Sequence, residues 1–151
     1  MASAEPAKPP EVGFEVATPI LRVENLATSL DYYTRVLGFK IPWQDREVAC
    51  VVRGKVSIFL CQGDQGHSGG WVWVGVEDTD ALREEYRRTG ARVRHEPANY
   101  PWAYEMQVQD PDGNVLRIGS EPKRDLPRGE WLDMDGDLWA PMPDGSWRRA
   151  G

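Results

Sequence analysis

The sequence predicts an α+β fold built from two tandem βαβββ modules. The first observation is an internal repeat: LRVENLATSLDYYTRVLGFKI (21–41) and VGVEDTDALREEYRRTGARV (74–93) share Val-Glu-Asn/Asp followed by Leu, Tyr, Arg and Gly. The second is the order of patterns in each copy, which is a strand-like run, a helical stripe and three more strand-like runs. Turn chemistry between the last strands of each copy, at 53–55 and 111–114, is the third.

The first module begins with a short apolar run at 20–23, which predicts a strand. A helix is predicted next, because apolar residues recur every three or four positions at Leu26, Leu30, Tyr33 and Leu37. Asn25 is suited to cap this helix and Gly38 to end it in the left-handed region. Three strands are then predicted at 39–43, 48–52 and 56–61.

The second module repeats this order. Residues 71–76 predict a strand in which Trp71 and Trp73 alternate with valines, so the two indoles share one face. Asp78 and Gly90 are suited to cap the helix that follows. The remaining strands are predicted at 92–96, 104–109 and 115–119.

The chain divides into a flexible N-terminal tail (1–15), a domain (16–122, with modules 16–63 and 69–121) and a Trp-rich C-terminal extension (123–151). Asp135-Gly136 and Asp144-Gly145 predict hairpins in the extension. We expect the extension to dock on the main domain or on a neighbouring subunit, where it covers a cleft or clasps the other chain. Asp133 to Asp137 resembles a calcium loop without its closing Glu, and a turn is the favoured interpretation.

Composition excludes several classes of partner. The formal net charge of −6 and the pI of about 5.0 argue against nucleic acid as the main partner. No apolar run is long enough to span a membrane, and the N-terminus lacks a signal pattern, so a cytoplasmic location is expected. Cys50 and Cys61 are expected to be buried reduced thiols, and a metal site rich in histidine is hard to build from His67 and His95.

The chain resembles the vicinal oxygen chelate superfamily over about residues 16–121. The resemblance rests on the tandem βαβββ units and on two motifs within them, LDYYTRVLGF (30–39) and QDPDGNVLRI (109–118). That superfamily includes glyoxalase I, extradiol dioxygenases and the bleomycin resistance proteins. The resemblance implies a curved mixed sheet with helices outside and a cleft inside. It also implies four inward positions at which the metal enzymes keep their ligands, and these correspond here to Thr18, Phe59, Trp71 and Arg117. None is His, Glu or Asp, so we expect no metal and no cofactor.

The chain resembles the bleomycin resistance branch in four segments: Val-Val-Arg (51–53), Trp-Val-Trp-Val (71–74), Pro-Trp-Ala-Tyr-Glu (101–105) and Asp-Pro-Asp-Gly-Asn (110–114). The first three match that branch better than the superfamily at large. Proteins of that branch sequester a drug without chemistry. The resemblance implies a homodimer whose ligands lie in clefts with aromatic walls at the subunit interface.

Strand alternation predicts which side chains line the cleft, because apolar residues such as Leu60, Met106 and Leu116 suit the helix side. The predicted ligand-binding residues are Arg22, Trp43, Phe59, Trp71, Trp73, Trp102, Glu105, Gln107 and Arg117. Two inward guanidiniums, Arg22 and Arg117, would suit an anionic or polar aromatic ligand. Alternatively, the tryptophans fill a closed cleft, and Arg22 pairs only with Glu105.

These observations favour a metal-free binding protein that sequesters a flat or aromatic ligand such as an antibiotic. One alternative is a metal-free isomerase, cyclase or lyase, with Glu105 as the base and Arg22 or Arg117 stabilising an oxyanion. A metal-dependent glyoxalase or dioxygenase is a third hypothesis, which the four substituted positions argue against. Ligand quenching of tryptophan fluorescence, turnover lost in Glu105→Gln, and stoichiometric bound metal would distinguish the three.

Overall fold

The first predicted module folds as an open four-stranded mixed sheet in the computed structural model, which describes residues 6–8 and 11–151. The strands are β1 (Ile20–Arg22), β2 (Lys40–Gln44), β3 (Val48–Arg53) and β4 (Val56–Cys61). Their spatial order is β1-β4-β3-β2, with β1 parallel to β4 and the other pairs antiparallel.

The second module has the same topology. Its strands are β5 (Trp71–Gly75), β6 (Arg92–Asn99), β7 (Tyr104–Gln109) and β8 (Val115–Ser120). They are ordered β5-β8-β7-β6, with β5 parallel to β8. The α+β fold predicted from the repeat is thereby confirmed, as two open mixed sheets that each carry one helical segment.

The predicted caps define both helices. Helix α1 (Leu26–Asp31) begins where the Asn25 side chain accepts a hydrogen bond from the backbone N–H of Thr28. Helix α2 (Thr79–Thr89) begins in the same way, with Asp78 accepting from Ala81. Gly90 ends α2 in the left-handed region, at φ +86°.

The first helix differs from the prediction in one respect, because α1 continues as a π-helical segment, Tyr32–Val36. The wider turn is closed by a bond from the Leu37 N–H to the Tyr32 carbonyl. Both neighbouring tyrosines are committed to the second module, where Tyr32 donates to the Gln109 carbonyl and Tyr33 donates to the Asp110 carboxylate. The π-helical turn thus lies where two consecutive tyrosines both donate hydrogen bonds to the second module.

One core joins the two modules. The strand residues assigned to the helix side are buried in both sheets: Leu21, Val23, Ile58, Leu60, Val74, Met106, Val108, Leu116 and Ile118. Polar contacts tie the modules at the edge of this core. Tyr86 donates from its hydroxyl to the Leu37 carbonyl, and Arg53 makes a bidentate ion pair with Glu85. The parity assignment of the five strands is therefore confirmed on the helix side.

The C-terminal extension forms a separate three-stranded antiparallel sheet, ordered β11-β10-β9. Its strands are β9 (Trp131–Leu132), β10 (Leu138–Pro141) and β11 (Trp147–Arg149), so both predicted hairpins are present. At the first turn the Asp133 carboxylate accepts from the backbone N–H groups of Asp135 and Asp137, both at 2.9 Å. This bonding supports the turn interpretation, because one Asp133 oxygen is already used by the backbone.

The predicted N-terminal tail falls partly outside the described residues. Residues 11–15 lie in neither a helix nor a strand, and all of them are exposed. In the described part of the chain, each helix is too short and too polar to cross a bilayer.

Candidate functional site

A buried ion pair occupies the outer face of the second sheet, which is the face turned away from the helix. Glu105 on β7 is 1% exposed and accepts two hydrogen bonds from the Arg117 guanidinium on β8, at 2.8 and 3.0 Å. The indole N–H of Trp102 donates to the same carboxylate. Both carboxylate oxygens are therefore engaged, in the bidentate geometry that Arg favours.

Strand register explains why Glu105 pairs with Arg117. Glu105 lies opposite Gly119 on β8, while Gln107 lies opposite Arg117. A Cβ atom at position 119 would lie 2.8 Å from the Glu105 Cβ, so only glycine leaves the space beside Glu105 open. The Arg117 side chain reaches diagonally to the carboxylate. The alternative in which Arg22 pairs only with Glu105 is therefore not found, and Arg22 instead donates to the Gln65 carbonyl at 3.1 Å.

The C-terminal extension covers this outer face and adds a tryptophan to it. The Trp131 ring centroid lies 6.3 Å from that of Trp71, 5.7 Å from that of Tyr100 and 6.1 Å from that of Trp102. The guanidinium carbon of Arg117 lies 4.9 Å from the centroid of Trp131, within cation–π range. Burial, together with the nearby charge of Glu105, raises the pKa of Tyr100.

Two polar side chains of the second sheet bind the backbone of the extension. Gln107 donates to the Leu132 carbonyl at 3.0 Å, and Arg94 donates to the carbonyls of Leu132 and Asp133. Arg94 also lies 5.3 Å from the centroid of Trp71. Removal from water lowers the pKa of the Arg94 guanidinium.

Five of the nine predicted ligand-binding residues therefore lie beneath or against the extension: Trp71, Trp102, Glu105, Gln107 and Arg117. Glu105 and Gln107 are 1% and 2% exposed, so they do not face an open cleft. Two N–H groups of Arg117 donate to Glu105, so the predicted anion-binding guanidinium already has a carboxylate partner within the protein.

The outer face of the first sheet presents an aromatic row. Ile20, Phe59, Cys50 and Trp43 are paired across β1, β4, β3 and β2. Trp43 is 45% exposed and packs edge-on against Phe59, with the ring centroids 5.2 Å apart. The structure thus brings Trp43 and Phe59 together on one sheet, and Trp71, Trp102, Glu105, Gln107 and Arg117 together on the other.

A groove of about 1130 Å³ runs along the free edge of β5, between the two modules. Trp73 and Trp102 line it and are 50% and 47% exposed. Its rim carries acidic side chains, Glu77 and Glu121, with Lys55 on the opposite module. Arg53, Asp78 and Glu85 also line the groove, whose remaining lining is mostly apolar. A largely apolar groove on which several polar groups converge has the general form of a small-molecule site.

The residues at the four family metal positions do not fit a metal ion. Phe59 and Trp71 have no lone pair to donate, Arg117 is cationic, and Thr18 offers only a neutral hydroxyl. Elsewhere in residues 6–8 and 11–151, no group of three or more His, Cys, Asp or Glu side chains is arranged to hold a metal.

Sequence reasoning missed Trp131, Tyr100 and Arg94 as members of the second-sheet cluster. Trp131 was recognisable as part of a Trp-rich segment, but its docking position depends on the path of residues 121–130. Strand β6 contains register shifts on either side of His95, so simple alternation did not assign Arg94 to the outer face.

Solved structures of similar fold include several binding proteins. The chain is 25% identical to the bleomycin-binding protein of Streptomyces verticillus complexed with copper(II)-bleomycin, with a TM-score of 0.64 over 73% of this chain and 98% of that one. TnmS3, an antibiotic binding protein from Streptomyces sp. CB03234, is 20% identical, with a TM-score of 0.65 over 75% and 100%. Lactoylglutathione lyase from Agrobacterium tumefaciens is 17% identical, with a TM-score of 0.60 over 75% and 96%.

No curated protein sequence matches the chain. The family model described as the Glyoxalase/Bleomycin resistance protein/Dioxygenase superfamily matches residues 15–118, which include both modules almost entirely and exclude the extension. The chain therefore belongs to the glyoxalase/bleomycin resistance protein/dioxygenase superfamily.

Proposed function

We propose that the chain binds and sequesters a flat or aromatic small molecule, such as an antibiotic, without a metal or cofactor. The observation that carries this proposal is the exposure of three indoles, Trp43, Trp73 and Trp102, each about half accessible. An exposed indole face stacks on a planar or cationic group for about 0.5–2 kcal/mol beyond the area it buries. The similarity to a bleomycin-binding and an antibiotic-binding protein supports a sequestering role.

The charge of the groove favours a cationic or neutral ligand. Glu77 and Glu121 lie on its rim with a single lysine, Lys55, across from them, besides the paired Arg53 and Glu85. The formal net charge of −6 attracts cations at longer range and supports a small-molecule partner over nucleic acid. This replaces the anionic preference expected from Arg22 and Arg117. We place the protein in the cytoplasm.

We also propose a homodimer in which the outer face of the first sheet meets the groove of a second chain. The N-terminal segment supports association, because Val12, Phe14 and Val16 alternate along it and are 79%, 100% and 76% exposed. Apolar side chains exposed in this density on one segment indicate a surface that another chain covers. Such a dimer would add Trp43 and Phe59 to the walls of the groove.

The surroundings of Glu105 disfavour the enzyme hypothesis. Glu105 accepts from Trp102 and Arg117 and lies under the extension, which argues against its role as a base that reaches a substrate. Two N–H groups of Arg117 donate to the same carboxylate, which argues against Arg117 as the group that stabilises an oxyanion.

Calorimetric titration and tryptophan fluorescence test the binding function. The purified full-length chain is titrated with metal-free bleomycin, copper(II)-bleomycin and planar aromatic antibiotics, before and after treatment with a chelator. We expect saturable binding of at least one compound, with quenching, that the chelator does not change. Sedimentation of the same sample should give twice the mass of one chain.

Matched variants localise the ligand. Trp73→Ala and Trp43→Ala should each weaken binding about fivefold to tenfold, since loss of one stacking face costs about 1–1.4 kcal/mol. Trp139→Ala, on the extension, should leave binding unchanged. Binding that survives Trp43→Ala and Trp73→Ala together, or that disappears with the chelator, would overturn the proposal.

A further inference from the structure

The outer face of the second sheet holds the Trp131 side chain as a binding site holds a ligand. We define the ring site as Trp71, Tyr100, Trp102 and Arg117, the four residues around the Trp131 indole. Tyr100 and Trp102 meet the indole nearly edge-on, at 79° and 80° between ring planes, and Arg117 lies over its face. Rings at these angles and a guanidinium on the face match the quadrupole of an aromatic guest.

The polar contacts next to the ring site are equally specific. Arg94 and Gln107 direct side-chain N–H groups at the two carbonyl oxygens that follow Trp131, those of Leu132 and Asp133. Because the acceptors are backbone atoms, the second sheet binds the Trp131 ring and the two carbonyls that follow it. These hydrogen bonds do not depend on the side chains of residues 132 and 133.

The occupant is an addition to the matched fold. The family model ends at residue 118, and the bleomycin-binding and TnmS3 chains match over 98% and 100% of their own lengths while covering 73% and 75% of this one. Gly129 allows the added segment to approach closely, because a Cβ there would lie 2.6 Å from the Cβ of Ala98. Its N–H donates to the Asn99 carbonyl at 2.8 Å.

We propose that the outer face of the second sheet is a binding site for an aromatic amide, and that residues 131–133 are its resident occupant. This site goes beyond the proposed function, which uses the exposed indoles at the groove and on the first sheet, and Trp102 is the one indole that belongs to both. A tethered occupant acts at an effective concentration in the millimolar range, so a free aromatic amide competes only at similar concentrations. Removing the Trp131 ring therefore opens the site to weak ligands.

The test uses the peptide acetyl-Trp-Leu-Asp-amide, which carries the ring and both carbonyls that the sheet binds, as the probe and Trp131→Gly as the opened site. We expect the folded variant to bind the probe saturably in a calorimetric or NMR titration, at least about tenfold more tightly than the wild type, which carries the tethered competitor. Met134→Ala truncates a side chain of the same extension that is 78% exposed and is not part of the ring site, and it should bind like the wild type. Acetyl-Ala-Leu-Asp-amide, which lacks the ring, should not bind any of the three.

A measurement on the wild-type chain covers the case in which Trp131→Gly does not fold. Millimolar acetyl-Trp-Leu-Asp-amide should speed hydrogen exchange in residues 128–149, because it displaces the occupant, and acetyl-Ala-Leu-Asp-amide should have no effect. Absence of probe binding by folded Trp131→Gly, or binding equal to that of Met134→Ala, would overturn the proposal. Unchanged wild-type exchange, should the variant not fold, would do the same. None of these outcomes depends on whether an antibiotic binds at the groove.

Discussion

Replacing Arg117 by Met would leave the carboxylate of Glu105 buried without its counter-ion. Glu105 is 1% exposed, and its remaining donor would be the Trp102 indole N–H. Methionine fills most of the volume of the arginine stem, so the change removes charge and hydrogen bonds with little loss of packing. The substitution therefore isolates the electrostatic role of the pair.

Breaking a buried ion pair by removing one partner costs about 3–5 kcal/mol. The Arg117 side chain is 27% exposed, so the lower end of that range applies. Loss of its contact with Trp131, at 4.9 Å, adds about 0.5–1 kcal/mol. We expect a total of about 3–4 kcal/mol, a large part of the 5–15 kcal/mol that is typical of a domain.

Urea unfolding followed by far-UV circular dichroism measures this cost. Arg35→Met is the control, since Arg35 and its partner Asp31 are 78% and 59% exposed and such a pair contributes about 0.5 kcal/mol at most. The double variant Glu105→Leu/Arg117→Met should recover most of the loss, because no unpaired charge remains. A cost below about 1 kcal/mol for Arg117→Met, or a double variant less stable than the single one, would refute this account of the pair.

Three further perturbations test contacts elsewhere in the fold. Tyr86→Phe should cost about 1 kcal/mol by urea titration, through the lost bond to Leu37. Burial raises the pKa of Tyr86 to about 12. The stabilisation from the neutral hydroxyl is therefore complete below about pH 10 and is lost as the pH rises through the folded-state pKa. The urea midpoints of variant and wild type should converge as the pH rises from about 10 to about 12. Lys123 lowers the pKa of Asp80, so Lys123→Met should lower the melting temperature slightly at neutral pH. That difference should disappear as acid protonates Asp80; a difference that persists at low pH would contradict the assignment. Asp110→Asn should cost about 1–3 kcal/mol in urea, because four donors converge on this carboxylate and an amide turns N–H groups toward some of them; an unchanged midpoint would count against it.

Most of the fold followed from local patterns. Alternation placed residues such as Leu60 and Met106 on the helix side, and both are fully buried there. Local sequence also indicated the helix caps at Asn25 and Asp78 and the Asp-Gly turns of the extension. In each case the side chain bonds to a backbone N–H only two or three residues away. These features depend on interactions between residues that are close in the sequence, so local patterns are enough to predict them.

The content of the site was less predictable, because it depends on contacts between distant segments. Parity placed Glu105 and Arg117 on one face, yet their pairing required the β7–β8 register and the space beside Gly119. Docking of Trp131 on that face depends on the route of the chain after β8. Three indoles at an eight-residue spacing indicated a docked extension without indicating its target.

The contacts that join the modules bear on the ancestry of the repeat. If the chain were divided between the modules, Tyr33 would lose its acceptor Asp110 and the Tyr86 hydroxyl would lose the Leu37 carbonyl. An ancestral chain of a single module would therefore have needed a second copy of itself to bury its helix and bind these hydroxyls. Duplication and fusion would then have converted an association that depends on concentration into a permanent one.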